Sequence, residues 1–156
     1  MADTYTQLYY HVVFAVRNRE SLIVPRIKDD LYKYMTGIIT NQNQKLMAIN
    51  GMPNHVHLLI SGKPSIKLSD LVKEIKEHSS KYINSHKLVK GCFYWQSGFG
   101  AFSVSKSDVG RVISYINNQE EHHKIYSFKQ EYYQFLDENE IPYSTERLFD
   151  FIENGE

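Results

Sequence analysis

Residues 51–61, GMPNHVHLLIS, set His55 and His57 into a run that is otherwise apolar from Val56 to Ile60. Gly51, Pro53 and Asn54 are turn residues, so the run reads as a strand that begins just after a turn. Side chains two apart on a strand share a face, which stands His55 beside His57 and sends Val56 and Leu58 into the core. Two readings follow for the imidazoles. They are a surface pair on the polar face of a half-buried strand, or two parallel legs of a metal site.

Working outward, QKLMAIN supplies the preceding strand of a hairpin. TQLYYHVVFAVRNR (6–19) is rich in β-branched and aromatic residues and reads as a first strand. Pro25 opens a helix whose apolar positions, Ile27, Leu31, Tyr34, Met35, Ile38 and Ile39, recur at helical spacing. A second amphipathic helix places Leu68, Leu71, Val72, Ile75, Tyr82 and Ile83 on one face. FYWQSGFGAFSVS then gives a fourth strand, interrupted by Gly98 and Gly100. The order β-α-β-β-α-β predicts an α+β fold, a ferredoxin-like sandwich. An added C-terminal helix over SKSDVGRVISYINNQ carries Tyr115, with Ser105 and Asp108 as its capping pair. A last helix is expected at about 127–139, ended by Pro142, and TERLFDFI as a further short turn of helix. No linker or repeat interrupts the chain, so residues 1–156 are expected to form one domain. Its core spans about 5–104, and the tyrosine helix and acidic tail follow at about 105–156.

Composition narrows the function. The chain has 156 residues, 42 % of them hydrophobic, without an apolar run of membrane-spanning length or an export signal. Its lone Cys92 excludes an internal disulfide and a zinc knuckle, and a cytoplasmic protein with no membrane partner is expected. Net charge is zero, but residues 1–118 carry 15 Lys and Arg against 8 Asp and Glu, while 119–156 carry 3 against 10. A basic body with an acidic tail suits a polyanionic partner, and is equally what surface scatter plus an acidic terminal helix would give.

A second constellation lies in DVGRVISYINNQEEHH. Val109, Val112, Ile113 and Ile116 form an apolar stripe, and Tyr115 and Gln119, four apart, stack one turn above the other on its flank. If the helix continues, Arg111 and His122 share that flank. Such a tyrosine is either packing at the edge of a core or a reactive group. Two imidazoles and one amide oxygen can hold a divalent cation while leaving positions open for phosphate oxygens, a donor set suited to Mg²⁺ or Mn²⁺. A neighbouring tyrosine can then attack phosphorus, provided a cation or base offsets its ordinary pKa of about 10.

These residues resemble the single-tyrosine HUH transposases of small bacterial insertion sequences, the insertion-sequence 200/605-like group. YYHVVFAVRNR, NHVHLL, KLSDLVKEIKEHSSKYIN, FSVS, YINNQEEHHK and SFKQEYYQFLDENEIPY follow that family's order and spacing over nearly the whole chain. The resemblance implies that His55, His57 and Gln119 are metal ligands and that Tyr115 is the nucleophile. It implies cleavage and rejoining of single-stranded DNA at ends marked by subterminal hairpins, through a 5′-phosphotyrosine. It also implies a homodimer in which the tyrosine helix of one subunit completes the site of the other. His122 and His123 fit the family pattern without an assigned role. Arg17, Arg19, Lys73, Lys76 and Lys81 are candidates for phosphate contact, and exposed aromatics for stacking on unpaired bases. Two other readings stand beside this one. A domesticated relative would bind or process dispersed palindromic repeats without transposition. A histidine-triad phosphoryl hydrolase would need a third alternating histidine where Leu59 stands.

Overall fold

The computed structural model describes residues 3–144 and Leu148. Four strands, β1 (Leu8–Ala15), β2 (Lys45–Met52), β3 (His55–Gly62) and β4 (Gly100–Val104), form one sheet in the order β2-β3-β1-β4. Every neighbouring pair is antiparallel. With α1 (Pro25–Asn41) and α2 (Leu68–Ser85) in the two crossovers, this is the ferredoxin-like arrangement expected from the β-α-β-β-α-β order.

Both helices form for reasons visible in their composition. Pro25 sits in the first turn of α1, where its fixed φ is preorganised and its missing N–H costs nothing. The helix buries Ile27, Leu31, Tyr32, Met35, Ile38 and Ile39. Helix α2 buries Leu71, Val72, Ile75, Ser79 and Ile83, and these meet Val12, Phe14, Val56, Leu58 and Ile60 from the sheet in one core. A second, smaller cluster lies on the opposite face of the sheet, where Val13, Ala15 and Phe102 pack against Phe128, Tyr132 and Leu136. In the β1–β3 register Val13 stands opposite His57 and Ala15 opposite His55, so the two histidines belong to this second face. The β2–β3 turn is tight. A Cβ on Gly51 would run into the carbonyl oxygen of His55, so only glycine lets the two strands approach there.

Three expectations change. The fourth strand begins only at Gly100; before it, Trp95 makes a single bridge to Val16. Phe93 and Trp95 are side chains of the first core, held by Asn84, which bonds both the N–H and the C=O of Phe93, and by a Trp95 Nε1 to Ser79 Oγ bond of 2.9 Å. Aromatic content there reflects core filling and not strand pairing. The tyrosine helix is also not continuous. A 3₁₀ turn at Lys106–Asp108 leads into α3 (Val109–Asn117), and Asn118 leaves helical geometry before the one-turn α4 (Gln119–His122). Ser105 and Asp108 do not cap it. Ser105 Oγ lies 3.1 Å from Ser107 Oγ, and Asp108 pairs with Arg111 at 2.9 Å.

The last helix, α5 (Phe128–Glu138), starts at a capping box in which Ser127 Oγ accepts from the Gln130 amide at 3.1 Å and Gln130 Oε1 accepts from the Ser127 amide at 2.8 Å. Apart from Leu148, TERLFDFI lies outside the described residues. Among the described residues no helix is long and apolar enough to cross a membrane.

Candidate metal and tyrosine site

His55 and His57 are both fully buried, which removes the reading of a surface pair. Each ring is fixed from behind. Asn54 Oδ1 lies 2.7 Å from His55 Nδ1, and His11 Nε2 lies 2.8 Å from His57 Nδ1. Those contacts leave both Nε2 atoms aimed at the same place, between the sheet and α5.

Glu131 fills that place. Its Oε1 lies 2.9 Å from His57 Nε2, 3.4 Å from His55 Nε2 and 3.3 Å from His123 Nε2. Its Oε2 accepts from the Tyr115 hydroxyl and lies 3.1 Å from His122 Nε2. Gln119 completes the group, with Oε1 at 3.2 Å from His55 Nε2 and 3.0 Å from His123 Nε2, and Nε2 at 3.3 Å from Glu131 Oε2. Thus Tyr115 and Gln119 reach one centre despite the break at Asn118, because the chain resumes a helical course within one residue.

Burial favours the neutral ring at His11 and at His55. Burial, reinforced by His57, pushes His11 down to about 3. Burial pushes His55 down to about 4, against the raising effect of Glu131. Burial by itself would raise Glu131, but His57 and the hydrogen bonds from His123, His55 and His57 hold it well below the usual carboxylate range. The Tyr115 hydroxyl is pushed up, first by burial and then by the charge of Glu131.

A neutral His55 that donates Nδ1–H to Asn54 presents a bare lone pair at Nε2. That lone pair faces the oxygens of Gln119 and Glu131, which are acceptors themselves. Electron-pair donors converging in this way are what a cation would relieve. One ligand atom from each of His55, His57, His123 and Glu131 lies within 4.8 Å of all the others, so the group could hold a metal ion.

Two of these residues had a signal in the sequence that points elsewhere. His123 fits the family pattern without an assigned role. Glu131 counted as one acid of a solvated tail, yet it is 2 % exposed and sits between the buried Phe128 and Tyr132 on the apolar side of α5. An acid on an apolar helical stripe was the available clue. His11 shares the alternation of Val13 and Ala15 on β1, and Asn54 directly precedes the histidines.

The basic candidates scatter. Arg17 is exposed and lies over the Tyr94 ring, 4.4 Å from its centroid. Lys73 and Lys81 are exposed on α2. Arg19 is buried. Lys76 donates to the carbonyls of Gln96, at 2.8 Å, and Gly98. Arg111, His122 and Tyr115 line one cavity of about 250 Å³ at the edge of the site.

The helix bearing Tyr115 lies on its own sheet, where Asn50 Nδ2 donates to the Ile116 and Asn117 carbonyls at 3.0 and 3.3 Å. The Tyr115 ring stands 5.8 Å from the His57 ring of the same chain. Asn50 meets carbonyls left free at the end of the helix.

Known proteins are similar to this chain in sequence and fold. The ISDra2 transposase TnpA of Deinococcus radiodurans is 27 % identical over 118 residues, covering 72 % of this chain and 84 % of that one. A crystal structure described as a transposase from Deinococcus radiodurans R1 superposes with a TM-score of 0.62 at 27 % identity, covering 76 % of this chain and 95 % of the other. The REP-associated tyrosine transposase, solved bound to a REP hairpin, shares the fold with a TM-score of 0.60 at 17 % identity, covering 79 % and 73 % of the two chains. The family model for IS200-like transposases matches residues 4–119, and the chain belongs to that family.

Proposed function

We propose that this transposase cuts and rejoins single-stranded DNA through Tyr115, with His55, His57 and Gln119 serving a divalent metal. The observation that supports the reading is the convergence of Tyr115 Oη, Gln119 and the two histidines on one buried centre. Tyr115 Oη attacks a backbone phosphorus, forming the phosphotyrosine bond and breaking the bond to the 3′-oxygen, which leaves with a proton as a 3′-hydroxyl. The new bond conserves the phosphodiester energy, so a 3′-hydroxyl from another strand reverses the step and joins new ends. A bound metal would polarise the phosphate and offset its developing charge. With imidazole nitrogens in the donor set, Mn²⁺ and Mg²⁺ are the ions to test, Mn²⁺ the better matched.

Hairpin-marked DNA is the proposed partner, in keeping with the REP hairpin in the related complex. A homodimer is proposed as well, since Val109, Val112 and Ile113 of the apolar stripe stay partly exposed while Ile116 is buried. The deciding experiment incubates hairpin-tailed single strands with wild type and Tyr115→Phe. Wild type should give a denaturant-resistant protein–DNA adduct that EDTA suppresses and Mn²⁺ or Mg²⁺ restores; the Phe variant should bind the DNA and give none. An adduct from the Phe variant would remove Tyr115 from the reaction.

A further inference from the structure

Neither the histidine pair nor the Tyr115–Gln119 spacing explains Glu131. A carboxylate this buried carries a desolvation penalty of several kcal/mol unless compensated. The two carboxylate oxygens also divide their contacts. Oε1 meets the nitrogens of His55, His57 and His123, while Oε2 meets Tyr115, His122 and Gln119. One oxygen faces the metal-binding side of the site and the other faces the hydroxyl.

We propose that Glu131 ties the nucleophile to the metal: Oε1 is a metal ligand contributed by α5, and Oε2 holds the Tyr115 hydroxyl. The inference rests on the reading of Tyr115 and of a metal at the histidines. It makes Glu131 a positioning residue for Tyr115, and it makes α5 part of the metal centre. Phe128, Tyr132 and Leu136 pack α5 on the sheet face that carries the histidines, so the carboxylate arrives on a supported element. A metal held there would strengthen the connection between β3 and α5 that packing and the 2.9 Å contact of His57 Nε2 with Glu131 Oε1 make without it.

The test uses the full chain and Mn²⁺ alone, with affinity read by electron paramagnetic resonance. Glu131→Gln keeps the size and loses the charge, and it should weaken Mn²⁺ binding by about ten- to a hundred-fold, the usual loss for a ligand or its close support. Tyr115→Phe should stay within about two-fold of wild type, since it removes no metal ligand. Mn²⁺ should slow amide exchange across Phe128–Glu138 in wild type and not in the Gln variant. At saturating Mn²⁺ and DNA, the Gln variant should form the adduct at least about ten-fold more slowly with unchanged DNA affinity. Should Glu131→Gln not fold, Glu131→Asp, which keeps the charge and shortens the reach, carries the same titration. Mn²⁺ affinity within about two-fold of wild type in the Gln or Asp variant overturns the proposal and leaves the Tyr115 reading standing. An adduct from Tyr115→Phe overturns that reading and, with it, the tie to the nucleophile, while the Mn²⁺ titration still reports on Oε1.

Discussion

Asn54 ties the turn that presents the histidines to the end of β1 and to the first histidine: its backbone carbonyl accepts from the Val16 amide at 2.9 Å and its side-chain oxygen lies 2.7 Å from His55 Nδ1. Asn54→Ala keeps the first contact and removes the second. A buried His55 Nδ1–H then lacks an acceptor, a penalty of about 1–3 kcal/mol in urea unfolding. The ring also loses what selects its tautomer, so Mn²⁺ affinity should fall by about ten-fold or more. Unchanged metal affinity in a folded Asn54→Ala protein would show that packing against Phe128, stacked at 4.1 Å, orients the ring by itself.

Stability of the metal-free protein should fall in mild acid. His55 and His11 bind protons near pH 6.5 when unfolded but only near about 4 and about 3 when folded, because burial opposes their charge. The unfolded state therefore binds more protons between those values, and stability rises with pH across that window. Glu131, held low in the folded state, adds loss of the same sign as pH falls below the ordinary carboxylate range. For His55 alone the change is on the order of 3 kcal/mol. Urea unfolding in EDTA at pH 7.5 and pH 5 checks this, and equal midpoints would refute it.

The histidine strand, the hairpin turn and both crossover helices were legible in the sequence because period, turn residues and Pro25 all agreed on one structure. Tyr115 and Gln119 were legible as a pair because their spacing survives the break at Asn118. What stayed hidden depends on contacts far apart in the chain. Glu131 comes 74 residues after His57, and its carboxylate looked like one of many near the C-terminus. Lys76 looked like a surface cation, since helical periodicity places it beside the exposed face but cannot show the carbonyls above it.

That difference among the lysines is testable. Burial pushes Lys76 down to about 8, and its ammonium holds the Gln96 and Gly98 carbonyls in the segment before β4. Lys76→Ala should cost about 1–3 kcal/mol in unfolding free energy by leaving those acceptors unmet. Lys73→Ala and Lys81→Ala, on exposed positions, should change stability by no more than about 0.5 kcal/mol. If either contacts phosphate, its loss should lower the slope of log affinity against log salt for single strands by about 0.7. Anisotropy titrations over a salt series measure this, and a salt slope altered by Lys76→Ala alone would reverse the assignment.

The position of α3 makes the final prediction. Asn50 stands opposite His57 in the β2–β3 register and bonds the carbonyls at the end of α3, so the strand pair carrying the histidine also fixes the helix carrying Tyr115. If Tyr115 serves the histidines of its own chain, each chain owns a whole site. In dimers purified through two different tags, pairing Tyr115→Phe with His57→Ala leaves each chain lacking one half of its own site, and no adduct should form. Pairing wild type with the double variant leaves one chain intact, and about half the wild-type adduct yield should remain. If the tyrosine served the partner's histidines, both results would invert: the first pair would regain one complete site, and the second would have none. Activity in the first pair with silence in the second would therefore overturn the arrangement within one chain, and neither result depends on how strongly the single variants bind DNA.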